Sequence, residues 1–265
     1  MDIDKIICGD NVEVLRGFPE NSIDLTVTSP PYDDLREYNS FSWDFETLAK
    51  QLYRVTKDGG VVVWVIGDQT KDGSETGTSF RQALYFIECG FNLHDTMIYD
   101  KNGFRFPFHN KYHQVFEYMF ILSKGSLATF NPIEDRRAEW SDNHTGGITK
   151  READGSTSFR KGRKADAGRL GKRYNIWRYA GGNQRGDLIA RNHPAVFPEA
   201  LAKDHILSWS NPGDLVLDPF IGSGTTAKMA KELGRHFIGI DISPEYCALA
   251  ERRIASTNVP LFVEG

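Results

Sequence analysis

Residues 215–241, LVLDPFIGSGTTAKMAKELGRHFIGID, read as a strand, a glycine-rich turn, a helix and a second strand. Leu215-Val216-Leu217-Asp218 is a short apolar run bounded by turn residues, as a buried strand requires, and Thr225–Leu233 continues as a helix closed by Gly234. Phe237–Asp241 is the returning strand. A β-α-β unit of this kind builds a parallel sheet whose ligands sit outside the carboxyl ends of the strands. Gly222 and Gly224 let backbone approach a ligand closely, and the helix start offers unpaired N–H groups. Asp241, 17 residues after Gly224, is spaced to accept hydrogen bonds from the two ribose hydroxyls of an adenosine. Gly222-x-Gly224-x-x-Ala227 also satisfies the dinucleotide fingerprint of NAD enzymes, so this turn alone leaves both cofactor classes open.

The alternation of strand and helix extends through most of the chain, as in an α/β sheet. Lys5-Ile6-Ile7-Cys8 and Ile23–Thr28 read as strands with a helix around Val12–Arg16 between them. Leu48, Leu52 and Val55, spaced by four and three, mark a helix at Phe45–Thr56, and Gly59-Gly60 lead into the strand Val61–Ile66. A helix at Phe80–Glu88, strands at Leu93–Tyr99 and Val115–Leu122, and helices at Pro198–Trp209 and Pro244–Ile254 complete the pattern.

At 265 residues, 40% apolar and 26% charged, the chain can remove roughly three quarters of its unfolded surface from water without cross-links. Cys8, Cys89 and Cys247 are odd in number and far apart, which argues against a disulfide scaffold or a zinc knuckle and for a reducing compartment. Met1-Asp2-Ile3-Asp4 lacks the basic and apolar regions of a signal peptide, and no apolar run approaches the roughly 18 to 20 residues of a bilayer span. A cytoplasmic protein with no membrane partner and no metal is expected.

Net charge is −4, from 32 basic and 36 acidic residues, but it is unevenly spread. Arg136–Arg185 holds 13 Lys/Arg against 5 Asp/Glu, so +8 in these 50 residues is set against −12 elsewhere. The stretch is rich in Gly, Ser and Thr, shows no sustained period, and reads as a loop-rich insert with a polyanion-binding surface. Tyr174, Trp177 and Tyr179 lie beside Lys172, Arg173 and Arg178, offering stacking faces next to phosphate-binding cations.

A second motif, Ser29-Pro30-Pro31-Tyr32, closes the strand Ile23–Thr28. The prolines fix φ near −65° and remove two N–H donors, leaving a stiff edge of carbonyl oxygens and the Ser29 hydroxyl beside an aromatic ring. An exocyclic amino group needs acceptors for its hydrogens, and a flat base needs a ring to lie against.

Taken together, these residues resemble the amino-group DNA methyltransferases that use S-adenosyl-L-methionine. Thr28-Ser29-Pro30-Pro31-Tyr32 is similar to their catalytic motif, and Asp218-Pro219-Phe220-Ile221-Gly222-Ser223-Gly224-Thr225-Thr226 to their cofactor loop. Gly9-Asp10, His193-Pro194-Ala195-Val196-Phe197-Pro198 and the strand VFEYMFILSK extend the match. The catalytic motif precedes the cofactor motif, which resembles the circularly permuted β class. Glutamine and ribosomal-RNA methyltransferases with Asn-Pro-Pro-Tyr normally carry the glycine turn first.

The resemblance implies a Rossmann-like methyltransferase fold, with a mostly parallel seven-stranded sheet and helices on both faces. Residues 1–130 would form its catalytic half, 131–190 a target-recognition insert and 191–265 its cofactor-binding half. It further implies S-adenosyl-L-methionine over Asp218, Pro219, Phe220, Gly222, Ser223, Gly224 and Thr225, with its ribose on Asp241, its adenine edge at Asp10 and its methionine end near Phe197. The target base would flip out of the duplex onto Tyr32, its amino group held by Ser29 and the Pro30 carbonyl, with Pro31 stiffening the turn. Arg136, Arg137, Arg160, Lys161, Arg163, Lys164, Lys172 and Arg173 would bind DNA. Double-stranded DNA on the nucleoid is the expected partner, with a cognate restriction endonuclease and a second copy of the chain as further candidates.

Carbon-5 cytosine methylation needs a cysteine nucleophile, usually in a Pro-Cys pair, and here Ile7, Glu88 and Tyr246 precede the cysteines. Ser29, where adenine enzymes mostly carry Asp, favours cytosine N4 over adenine N6. A nicotinamide oxidoreductase explains the glycine turn but not the prolines, and a DNA-binding protein without catalysis leaves both motifs idle. His109 and His113 lack the Glu of an HExxH site. Phe104, Phe106, Phe108 and Tyr112 could flank a base or fill the core, whereas Phe116, Tyr118 and Phe120 alternate as strand packing.

Overall fold

The computed structural model describes residues 1–32, 43–101, 103, 110–137, 148–160, 170–180 and 197–257. The chain divides into two units, Met1–Asn131 together with Asn175–Gly265, and Pro132–Tyr174. In the first unit β1 (Lys5–Cys8) leads through α1 (Asn11–Arg16) to β2 (Ile23–Thr28), and α2 (Phe45–Val55) runs into β3 (Thr56–Ile66). A small hairpin of β4 (Thr70–Lys71) and β5 (Ser74–Glu75) precedes α3 (Thr78–Glu88), β6 (Asn92–Lys101) and β7 (Phe116–Ser123). The second unit holds β8 (Arg136–Arg137), β9 (Ile148–Arg151), β10 (Thr157–Arg160) and β11 (Leu170–Gly171). The first unit then resumes with β12 (Ile176–Tyr179), α4 (Glu199–Trp209), β13 (Leu215–Asp218), α5 (Thr225–Glu232), β14 (His236–Asp241) and α6 (Pro244–Ala255).

One sheet has the order β1-β14-β13-β2-β3-β7-β6-β12. Only β7 runs against its neighbours; the other adjacent pairs are parallel. Among the described residues the sheet has eight strands, against the seven expected. The additional strand, β12, pairs with β6 and comes from the stretch expected to be insert. Its Trp177 is 6% exposed and its ring lies 4.7 Å from that of His205, so it packs the core instead of offering a face to a nucleotide. Arg178 bonds to Asp100, and the Tyr179 hydroxyl donates to Asp204. With a single buried residue in four, β12 carries no alternation by which sequence could reveal it.

Strand side chains alternate between the two faces of the sheet. Val62, Trp64 and Ile66 of β3, with Phe120, Leu217, Ile238 and Ile240, pack against Leu15 of α1, Leu48 and Leu52 of α2, and Phe86 of α3. Trp64 is fully buried, and its indole N–H is satisfied by Gln82 Oε1 at 2.8 Å. On the opposite face His205 of α4 reaches Met119, and α5 packs between α4 and α6. Each fully buried Leu or Ile here contributes roughly 1.5–3 kcal/mol of hydrophobic stabilisation. Two helix starts follow a capping side chain closely: Asp44 accepts from Thr47 N at 3.1 Å for α2, and Ser243 with Pro244 opens α6. Among the described residues no helix is long and apolar enough to cross a membrane.

In the second unit β9 pairs with β10 and β8 with β11, both antiparallel. Arg173 holds Asp135 in an ion pair, and its hydrogen bonds keep that carboxyl below the usual range. The Arg136 guanidinium lies 4.8 Å from the centre of the Tyr174 ring and donates from Nε to the Lys172 carbonyl.

Candidate active site

In a parallel sheet every strand delivers its following turn to the same edge. From β13 the chain proceeds through α5 to β14 on one side, whereas from β2 it proceeds through α2 to β3 on the other. Since α2 lies with the α1–α3 core and α5 on the opposite face, the connections diverge between β13 and β2. Open α/β sheets take their ligands in the crevice at such a reversal. The glycine turn leaves β13 there, and the diproline turn leaves β2. The last residues of the two strands are joined: Thr28 donates its hydroxyl to Asp218 Oδ1 at 2.7 Å.

Asp218 is 5% exposed and organises the glycine turn. Besides Thr28 it accepts from Phe220 N at 3.0 Å and from the Thr226 hydroxyl at 2.8 Å. Burial pushes its pKa up to about 6, and these three donors limit the rise. Asp218 thus supports the loop from beneath. Gly224 caps α5 with φ +84°, and a Cβ there would come within 2.9 Å of Ala250 Cα and Cβ. No side chain caps α5, so its first N–H groups are left for an anionic ligand.

Asp241 ends the neighbouring β14. It accepts from Gly222 N at 3.0 Å and Ser243 N at 2.9 Å; burial raises its pKa, and these N–H groups pull it back. Asp10, after β1, caps α1 by accepting from Glu13 N at 3.0 Å, and Gly9 N bonds to the Asp241 carbonyl. Phe197 is half-buried two residues before α4. Pro219 offers its carbonyl to Asn11 Nδ2 at 3.2 Å, and the Phe220 ring meets Trp43 edge-on at 5.0 Å.

In the diproline turn Ser29 Oγ lies 2.8 Å from the Tyr32 hydroxyl, which donates to Glu117 Oε2 at 3.0 Å. Glu117, on β7, also forms an ion pair with Lys101 of β6. A Cβ on Gly67, just beyond β3, would sit 3.6 Å from Tyr32 Cε2, so the aromatic ring passes over that strand end. Pro30 is buried and Pro31 half-buried.

Of the expected DNA-binding residues, Arg136 and Arg173 are engaged within the second unit, and Lys172 is exposed. Lys161, Arg163 and Lys164 lie outside the described residues, as do the side chains of Arg137 and Arg160, and so do His193–Val196, Phe104, Phe106, Phe108 and His109. Tyr112 is fully exposed.

Three residues of this edge escape motif reading. Arg253 of α6, with a side chain 1% exposed, donates to Ser223 O, Ser223 Oγ and Thr225 Oγ1 and pairs with Glu199 at 2.6 Å. It locks the glycine turn to the start of α4. Its signal was an Arg three residues after Ala250, on the buried face of an amphipathic helix. Glu117 showed as a lone charge in the apolar strand FEYMFILS, and Asn11 only as the neighbour of Asp10.

Residues 23–252 match the model of the DNA methylase family that comprises N6- and N4-methyltransferases. The chain belongs to this family. Among its relatives, the methylase M.BamHII of Bacillus amyloliquefaciens, an orphan methyltransferase, is 58% identical over 237 residues, covering 88% of this chain and 89% of that protein. The Thermus thermophilus protein TTHA0409, crystallised with S-adenosyl-L-methionine, superposes with a TM-score of 0.64 at 26% identity, covering 97% of each chain. The cytosine-N4-specific PvuII methyltransferase shares the fold, with a TM-score of 0.69 at 21% identity over 98% of this chain and 92% of its own. Membership of the methylase family resolves the cofactor ambiguity of the glycine turn against a nicotinamide enzyme.

Proposed function

We propose that this DNA methylase transfers a methyl group from S-adenosyl-L-methionine to the exocyclic amino nitrogen of a flipped base in duplex DNA, namely N4 of cytosine. The observation that carries the proposal is the Thr28–Asp218 hydrogen bond, which ties the diproline turn to the glycine turn that leads into the uncapped start of α5.

The residues present suit the cofactor. The uncapped start of α5 is matched to a carboxylate, the acceptor Asp241 to ribose hydroxyls, and the close approach at Gly224 to a ligand lying on backbone. S-adenosyl-L-methionine, when bound, supplies an activated methyl on a sulfonium. Asp218 and Arg253 hold the turn, Asp10 closes the adenine side, and Phe197 lines the methionine end. Ser29 and the Pro30 carbonyl accept the amino hydrogens, and Tyr32 gives the base a surface. The protein contributes alignment and charge stabilisation, and no covalent enzyme intermediate is needed.

Ser29 supports cytosine N4, since adenine enzymes of the family mostly carry Asp there. The basic second unit, Pro132–Tyr174, is assigned to DNA, with Lys150, Arg151 and Lys172 on its surface and Phe159, 70% exposed, on β10 paired with the strand of Lys150 and Arg151. The orphan status of M.BamHII favours action without a partnered endonuclease.

Incubation with tritiated S-adenosyl-L-methionine and unmethylated duplex DNA tests the proposal. Label in the DNA is the expected result. Cofactor binding without transfer would leave a DNA-binding protein, and nicotinamide dinucleotide binding in its place would point to an oxidoreductase.

A further inference from the structure

Glu117 touches neither the glycine turn nor the proposed cofactor site, yet its side chain is only 14% exposed and three elements converge on it. Lys101 and Tyr99 face it from β6, Tyr32 reaches it from the turn after β2, and Gly67 abuts it from the end of β3. A largely covered carboxylate needs a partner, and an ion pair is weak grounds for its presence on stability alone.

The proton positions in the chain Ser29–Tyr32–Glu117 follow from donor arithmetic. Tyr32 has one phenolic proton, and an ionised carboxylate only accepts, so Tyr32 donates to Glu117. Ser29 must then donate to the Tyr32 oxygen, which leaves the Ser29 lone pairs for an incoming N–H. Tyr99, held protonated by burial and by the Glu117 charge with a pKa of about 12, does not compete as a proton acceptor.

We propose that Glu117 is a positioning residue for amino methylation: it aims the Ser29 hydroxyl and receives, through Tyr32, the proton that the base must lose. The proposal rests on the amino-methyltransferase reading above. As the amino nitrogen forms its bond to the methyl carbon, the carbon–sulfur bond breaks with its electron pair going to sulfur. The nitrogen then holds two protons and a positive charge. One proton passes to Ser29 Oγ while the Ser29 proton moves to Tyr32 and the Tyr32 proton to Glu117 Oε2. The step ends with a neutral thioether, a neutral methylamino base and a protonated Glu117, which later releases its proton to water.

The test compares wild type, Glu117→Gln and Tyr32→Phe. Gln keeps an acceptor for the Tyr32 hydroxyl but cannot take its proton. Both variants are expected to lower kcat for methylation of unmodified plasmid DNA by about 100-fold, a size usual for lost acid–base assistance, with KM for S-adenosyl-L-methionine within about twofold of wild type. The wild-type solvent deuterium isotope effect should arise from more than one proton and shrink in both variants. In ligand-free protein, the tyrosine ultraviolet band should shift to shorter wavelength in Glu117→Gln, but not when the same change is made in a Tyr32→Phe background. Wild-type kcat in Glu117→Gln would overturn the relay, as would parallel losses of kcat, cofactor affinity and melting temperature in both variants. A wild-type protein that puts no label into DNA would overturn the amino-methyltransferase reading itself.

Discussion

The turn after β13 and the turn after β2 leave adjacent strands of one sheet at the same edge, yet they use opposite backbone chemistry. The first is built on glycine, runs through left-handed residues and ends on an uncapped helix, so the donors it presents are the first N–H groups of that helix. The second is built on two prolines, which cannot donate, so it presents acceptors. Donors suit the carboxylate of an amino-acid-derived cofactor, and acceptors suit an amino group. The supports differ as well. Asp218, Asp241, Asn11 and Arg253 brace the glycine turn from four directions, whereas the diproline turn is stiff by covalent geometry and is steered mainly by Ser29, Tyr32 and Glu117. A loop that must be permissive locally needs bracing from outside; a loop that is rigid in itself needs only aiming.

That contrast can be broken most severely at Gly224. Gly224→Val forces a left-handed β-branched residue into Ala250 and should cost about 2–4 kcal/mol in urea denaturation while abolishing cofactor binding by calorimetry. Retention of binding would show that the tight approach is not required.

Asp218→Asn probes the bracing. The folded pKa of Asp218, about 6, lies above its ordinary 3.8, so between these values the folded state holds more protons than the unfolded one. Stability contributed by this group is therefore greatest below about pH 4 and declines as pH rises to about 6, by about 3 kcal/mol in all. Denaturation at pH 4 to 7 should show this decline in wild type and a flatter profile in Asp218→Asn. Parallel profiles would mean that Asp218 titrates normally.

Ser29→Ala sharpens the contrast on the other side. It should lower turnover about 100-fold while leaving affinity for S-adenosyl-L-methionine nearly unchanged, because Ser29 is proposed to serve the base. Equal losses of both would merge the two turns into one binding surface. The smallest effect belongs to the second unit: Lys150→Gln and Arg151→Gln should each flatten the salt dependence of DNA binding by about one unit of slope. An unaltered slope would place DNA elsewhere.

Much of this edge was legible in the sequence. Strands β1, β2 and β13 run over the residues expected, because a buried strand is a short apolar run cut by turn residues at both ends. The two motifs were legible because glycine and proline act locally on the backbone. Their adjacency was not, since strand order is decided by packing between segments about 190 residues apart, as the Thr28–Asp218 bond illustrates. Trp177 departs from its sequence reading for the same reason. Flanking cations suggest a nucleic-acid face, while its partner His205 is supplied by a distant helix. Arg253 and Glu117 break the apolar pattern of their elements, which is a visible signal without a visible partner.

The most direct test of the central claim, that neighbouring donor and acceptor turns deliver a methyl to an amino nitrogen, is mass spectrometry of nucleosides digested from DNA after reaction. N4-methylcytosine is the predicted product. N6-methyladenine would keep the amino chemistry and overturn the assigned base, whereas 5-methylcytosine, or unmodified nucleosides throughout, would contradict the claim.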